Sequence, residues 1–393
     1  MDNNIPVPED YIYLDHNATT PICDAAIEEI NKHLKGLHGN PSSSHLLGQQ
    51  AKKHLINYRQ SISDCFGVPF NGVIYMSGGT EVNNTIIRIA VDQWWIKYQR
   101  IPYVITSKME HPSILKLLEY LENQQKLLIH WLDISRETGI VQHENIPDEI
   151  LKDTCLITIM QANNETGVIQ PVNKIFEYFK SKCINGDLPI FHSDASQAIG
   201  RIGIEIFDVI TVTGHKFGGP CIAALLTNNK EFLNCFVTNP FFYGGGQEFG
   251  YRSGTENLPM IAGFSVALKS AAKNFNDFEK VSLLRNYLEK ELIEKFGAKS
   301  FYKNSSRLPN TASIYFPSYP GLAADLLKKC ENIFAASTGA ACHSNGITIS
   351  PCLLACGRSI EEASKTVRFS LGKENTKEQI DKVVEAIAKA FEA

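Results

Sequence analysis

Over the first two thirds of the chain, short apolar runs rich in β-branched residues alternate with stretches in which apolar residues recur at helical spacing. The run Y-I-Y-L-D-H-N-A-T-T-P over 11–21 predicts a short strand stopped by polar residues. Thr20 before Pro21 then predicts an N-cap and first helical position, with Ile27, Ile30 and Leu34 on the apolar face. The loop G-N-P-S-S-S over 39–44 precedes a second helix over 48–65. From Val73, V-I-Y-M-S predicts a strand, and Gly78-Gly79-Thr80 leads into a helix carrying Ile86, Ile87, Ile89 and Val91. Further strands are predicted over 103–106, 127–132, 155–160, 190–192 and 209–213, with helices beginning near Pro112, Glu144 and Val172. This alternation argues for an α/β fold with a mostly parallel sheet covered on both faces, whose ligands gather at the strands' C-terminal ends.

Past Gly244-Gly245-Gly246 the pattern changes. Helical spacing is nearly unbroken over 259–296, which predicts one or two helices leaving the first domain. Strands over 312–316, 333–336 and 366–371, with helices over 321–330 and 377–391, predict a smaller α+β domain. The expected division is a large domain over 15–260 and a small domain made of 1–14 and 261–393.

Composition narrows the class of protein. A chain of 393 residues with 44% hydrophobic and 20% charged residues is globular and exceeds one typical core. A net charge of −4 without any Lys/Arg tract argues against a nucleic-acid partner. No apolar run reaches membrane-spanning length, and the acidic, Pro-containing start is unlike a secretory or transit leader, so a cytosolic protein is expected. Ten cysteines without a C-x-x-C pair read as free thiols, and no metal site is expected.

The chemistry centres on F-D-V-I-T-V-T-G-H-K-F-G-G-P over 207–220, where an apolar strand runs into Lys216 between glycines. A lysine tethered at the end of a core strand loses hydration, which lowers its pKa and frees the amine to form an imine with an aldehyde. Ser77-Gly78-Gly79-Thr80-Glu81, between strand and helix, is either an anion site of backbone N–H groups and a hydroxyl or a simple helix cap. Asp194 in H-S-D-A-S-Q also falls at a strand end, where it either pairs with a cofactor pyridinium nitrogen or caps a helix. His111 in E-H-P stands ready to stack on a flat ring or to move a proton, or is structural. Ser337 opens S-T-G-A-A-C-H-S-N-G-I-T-I-S, whose small residues predict a mobile loop able to carry the Cys342 thiol to and from a site, whereas Cys352 and Cys356 lie in an apolar run and read as core. Arg368 alternates with Val367, Phe369 and Leu371, so it points away from the small domain's core, toward a substrate carboxylate or toward solvent.

Together, D-H-N-A-T-T-P, G-N-P-S-S, S-G-G-T-E-x-N-N, N-N-E-T-G, H-S-D-A-S-Q, G-H-K-F-G-G-P and G-G-G-Q-E-x-x-x-R-S-G-T-E-N resemble, in order, the motifs of the class V aminotransferase group of pyridoxal-phosphate enzymes. Within that group the chain is similar to the cysteine desulfurases and selenocysteine lyases, and nearer the lyases in S-T-G-A-A-C-H-S, though Pro112 stands where an acidic residue follows the histidine in the animal lyases. The resemblance implies an aspartate-aminotransferase-like fold (fold type I), a large mixed-sheet domain and a small one. It implies pyridoxal 5'-phosphate held by Lys216, stacked on by His111 and paired with Asp194, with Gln197 on the ring hydroxyl and Gly79, Thr80, Thr213 and His215 around the phosphate. Asn17, Asn164 and Arg368 would face the amino-acid substrate, with Asn164 also beside the cofactor, and Cys342 would receive the chalcogen. Thr255 would reach the neighbouring subunit's phosphate, which implies a homodimer. The implied activity is release of alanine and selenium from selenocysteine, with the cysteine desulfurase reaction and a sulfur or selenium acceptor protein as the alternative.

Overall fold

The computed structural model describes residues 7–183, 188–238, 240–273, 278–338 and 349–392, so Cys342 and most of its loop lie outside the described residues. The chain opens with β1 (Ile12–Tyr13), α1 (Asp24–Lys35) and α2 (Leu46–Phe66). Alternation begins at β2 (Val73–Met76) and α3 (Gly79–Tyr98). It continues through β3 (Tyr103–Ser107), α4 (Pro112–Asn123), β4 (Leu128–Leu132), α5 (Asp148–Lys152), β5 (Thr154–Thr158) and α6 (Val172–Lys182). Then follow β6 (Ile190–Asp194), β7 (Val209–Thr213), β8 (Ala223–Thr227), α7 (Lys230–Thr238), α8 (Leu258–Lys273) and α9 (Phe278–Phe296). The remainder is β9 (Lys299–Ser300), β10 (Thr311–Tyr315), α10 (Ala323–Lys329), β11 (Phe334–Ala335), α11 (Pro351–Ala355), α12 (Ile360–Ser364), β12 (Thr366–Ser370) and α13 (Lys377–Glu392).

Seven strands form one sheet in the order β2-β8-β7-β6-β5-β3-β4. All its neighbours pair in parallel except β8, which runs antiparallel to both β2 and β7. The strand directions therefore bring the C-terminal ends of β2, β3, β5, β6 and β7 to one side of the sheet. Strands buried on both faces carry apolar runs rather than alternation, and every residue of β5, β7 and β8 is buried. A second sheet, β12-β10-β9, is antiparallel, and α9 and α13 pack against it in one apolar cluster that includes Leu288, Ile314, Phe369 and Ile387. Among the described residues no helix is long and apolar enough to cross a membrane.

Two local expectations change. Thr20 does not cap α1. Its N–H and hydroxyl donate to the His215 carbonyl at 2.8 and 3.0 Å, and its Oγ1 accepts from Gly218 N, so it fastens the chain to the lysine turn and the helix starts at Asp24. Ile27 and Leu34 are exposed. The buried face of α1 is Ala26 and Ile30, because Gly263 of α8 lets Ile30 approach so closely that a Cβ there would lie 2.6 Å from it. The helical stretch over 259–296 is two helices: α8 joins the cluster around α2 and the central sheet, α9 that of the second sheet. β11 pairs in parallel with β1.

Candidate active site

The strand ends surround a cleft of about 350 Å³. Asn17, Gly79, Thr80, His111, Asn164, Asp194, Gln197, Thr213, His215, Lys216 and Arg368 all line it. Thr255 does not. It lines a separate hollow with Tyr75, Cys221 and Arg252.

Lys216 ends a 3-10 turn, Gly214–Lys216, that follows β7 directly. Gly214 is required there, since a Cβ would lie 2.4 Å from the Pro220 carbonyl oxygen, and Gly218 takes a φ of +85° that L side chains rarely adopt. The turn delivers the amine to two backbone oxygens: Nζ donates to Asn17 O at 2.8 Å and Ala18 O at 2.7 Å. Burial lowers the pKa of the amine to about 8, with the positive charges of Arg201 and Arg368 adding to it and Asp194 and Asp15 opposing.

Asp194 ends β6 beside Thr211 of β7. One carboxylate oxygen accepts from Ser196 N at 2.9 Å and the other from Asn83 Nδ2 at 2.9 Å. The Asn83 carbonyl oxygen accepts from Thr211 Oγ1 at 2.6 Å, which commits the threonine's proton. His192 Nε2, 3.0 Å from Thr211 Oγ1, must then be the donor, leaving Nδ1 to accept from Thr158 Oγ1 at 2.8 Å. Burial pushes His192 down to about 4, which keeps this relay neutral beneath the aspartate.

Asn83 also donates to Ser113 Oγ at 2.9 Å. Ser113 in turn contacts His111 Nδ1, through its hydroxyl at 2.8 Å and its N–H at 3.1 Å, so His111 is both the N-cap of α4 and a wall of the cleft. Accepting the Ser113 N–H makes Nδ1 the bare nitrogen, and burial lowers the pKa of the ring.

At the far wall, α3 begins at Gly79 with Gly78 as its N-cap and no side-chain cap bond, so among the described residues no side chain takes the first N–H groups of the helix. A Cβ at Gly79 would lie 2.4 Å from Thr213 Oγ1, so only glycine leaves that corner open. Thr213 Oγ1 pairs with Ser196 Oγ at 2.8 Å. His215 is pushed down to about 4, by burial first and then by Lys216 and His111.

Arg368, on β12, is buried rather than solvent-facing. Its Nη2 donates to Asp15 Oδ1 at 2.6 Å and Nη1 to the Asn164 carbonyl at 3.0 Å, while among the described residues Nε has no partner. The Asn17 amide is engaged on all sides, donating to Asn164 O and Thr311 Oγ1 and accepting from Asn310, so it is the backbone oxygen of Asn17 that meets Lys216. Gln197 donates to that same oxygen at 3.0 Å. Sequence reasoning missed Asn83, Ser113, Asp15 and Arg201, each of which touches a predicted residue. Asn83 and Asp15 sit inside recognised motifs, which was the available signal. Arg201 had none beyond its place four residues after Gln197.

The aminotransferase class-V family model matches residues 12–383. The chain belongs to that family. It is 36% identical to selenocysteine lyase of Bos taurus over 96% of this chain and 93% of that protein. It is 33% identical to cysteine desulfurase IscS of Methanosarcina thermophila, over 98% and 93%. Among solved structures, a NifS-like protein from Rickettsia africae superposes with a TM-score of 0.82 at 31% identity, over 98% of this chain and all of that one.

Proposed function

We propose that this chain is a pyridoxal-phosphate-dependent lyase that splits L-selenocysteine into L-alanine and selenium. The observation that carries the reading is Lys216, an amine held at a core strand's end with its pKa lowered to about 8 and facing the cleft that Asp194 and His111 also line. The residues fit the cofactor. The corner at Gly79 and the uncapped start of α3 suit a phosphate, with Thr80, Thr213 and His215 beside them. Asp194, fixed by Asn83 and Ser196, is the group to keep a ring nitrogen protonated, and Gln197 the group for a ring hydroxyl. Pyridoxal phosphate, when bound, supplies an electron-accepting ring.

The chain's own part is positioning and proton transfer. Arg368 Nε, without a partner among the described residues, is available to a substrate carboxylate, which would set the α-carbon near Lys216. Lys216 takes the α-proton on Nζ, and the carbonyls of Asn17 and Ala18 hold the resulting ammonium. His111, neutral through burial, packs a flat ring without adding charge. A selenol ionises more readily than a thiol and leaves more easily, so Cys342 as acceptor matters less for selenocysteine than for cysteine. Thr255 completing the phosphate site of a second subunit, and a cytosolic location, belong to the same reading.

Relatives named selenocysteine lyase are 34–36% identical and those named cysteine desulfurase 32–33%, which supports the selenium reading first and C–S cleavage with persulfide transfer as the second. The test is alanine release from each amino acid by the purified protein, with borohydride capture of the cofactor on Lys216 followed by mass spectrometry. Faster release from selenocysteine and capture at Lys216, lost in Lys216→Ala, are expected. A Lys216→Ala variant that turns over, or equal or faster release from cysteine, rejects the reading.

A further inference from the structure

Arg201 is 4% exposed, yet among the described residues no carboxylate pairs with it. A buried guanidinium without a counter-charge is costly, and it persists only where its donors are well used. Here they converge on the lysine turn. Nη1 donates to the Gln197 carbonyl at 2.9 Å and to Gln197 Oε1 at 2.6 Å, and Nη2 donates to the carbonyls of His16 at 3.0 Å and Lys216 at 3.1 Å.

The bond to Oε1 decides which way the Gln197 amide points. A guanidinium can only donate, so the oxygen end of the amide must face Arg201. The nitrogen end is then turned the other way, where one N–H meets Asn17 O at 3.0 Å and the other is left for the cleft. Flipping the amide would set two donors against each other.

We infer that Arg201 is a positioning residue that locks Gln197 with its N–H toward the cleft, so that the site presents a donor, and not an acceptor, to an anionic oxygen on the cofactor ring. This rests on the pyridoxal-phosphate reading above. The same cation lies behind Lys216 through its contact with the Lys216 carbonyl, and after burial, which comes first, it contributes most of the neighbouring charges to lowering the pKa of the amine. One side chain thereby turns a donor toward the ring and weakens the amine's hold on its proton.

Two readouts on the apoprotein test this: affinity for pyridoxal phosphate, and the pH at which Lys216 is half-labelled by trinitrobenzenesulfonate, read by peptide mass spectrometry. In Arg201→Met the affinity should fall about tenfold, the worth of one hydrogen bond to a charged acceptor. Removing a cation favours the ammonium form, so half-labelling should move to higher pH. Arg201→Lys keeps the charge and should hold the labelling midpoint near wild type while recovering part of the affinity. A folded Arg201→Met protein with both readouts unchanged overturns the inference. If that variant does not fold, Gln197→Glu decides, because its carboxylate still accepts from Arg201 but has no N–H. Undiminished affinity in Gln197→Glu overturns the inference, and a similar loss supports it. A wild-type protein that takes up no pyridoxal phosphate sinks the cofactor reading instead, and leaves the labelling midpoints to judge Arg201.

Discussion

Asp15 Oδ1 accepts from Arg368 Nη2 at 2.6 Å, in a pair whose side chains are 20% and 7% exposed. The guanidinium that would receive a substrate carboxylate already has a carboxylate beside it. Asp15→Asn keeps an accepting oxygen and removes the competing charge. The KM for the amino acid should fall about fivefold, the worth of about 1 kcal/mol for a partly exposed ion pair, with kcat changed less. A KM that rises would mean that Asp15 aims Arg368 and does not compete with the substrate.

Gly79 lies against Thr213, and Gly79→Ala would put a methyl group 2.4 Å from Thr213 Oγ1. Overpacking of this kind costs about 1–3 kcal/mol. Urea unfolding of the apoprotein should show that loss in Gly79→Ala and its partial recovery in Gly79→Ala with Thr213→Ala, where the clashing oxygen is gone. Pyridoxal-phosphate affinity should drop in both, since one fills the corner and the other removes a hydroxyl. Equal stability of wild type and Gly79→Ala would show that the corner opens without strain.

Glu110 is 3% exposed, and burial raises its pKa to about 8, with Asp194 adding to it. Its Oε1 accepts from Met160 N at 3.1 Å and Ser107 Oγ at 3.2 Å, and among the described residues Oε2 has no partner. Between pH 4.5 and 8 the folded state keeps a proton that the unfolded state has lost, so this group makes stability fall as pH rises, by at most about 1.4 kcal/mol per unit. Glu110→Gln has the shape of the protonated acid and does not titrate. Its stability relative to wild type should climb from pH 5.5 to 7.5 in urea unfolding. A constant difference across that range would mean that Glu110 is ionised in the folded protein.

The strands that carry the site were legible because each joins an apolar run to a glycine or polar stop, and Lys216, Asp194 and Gly79 all fall at such junctions. β8 was not legible. Its A-A-L-L-T is too short and too uniformly apolar for periodicity to separate strand from helix, and it became a central strand only by pairing with β2 and β7. Thr20 followed by Pro21 reads locally as a helix start, but bonds to His215 and Gly218 from nearly 200 residues away take both threonine groups. Arg201 shows the same limit from the other side. A lone arginine between glycine and isoleucine has no pattern, and only the folded turn reveals four carbonyl oxygens around it.

Helix α3 begins at the Gly79 corner of the cleft and, one turn on, sends Asn83 to both Asp194 and the Ser113 that holds His111. Under the proposed pyridoxal-phosphate reading, the groups for two distant ends of one ligand would thus be mounted on a single rigid rod. Sliding that rod by even an ångström would shift the Gly79 corner, Asp194 and, through Ser113, His111 in concert. The apolar residues on its hidden side, Val82, Ile86 and Ile89 among them, therefore fix the placement of a cleft that none of them lines.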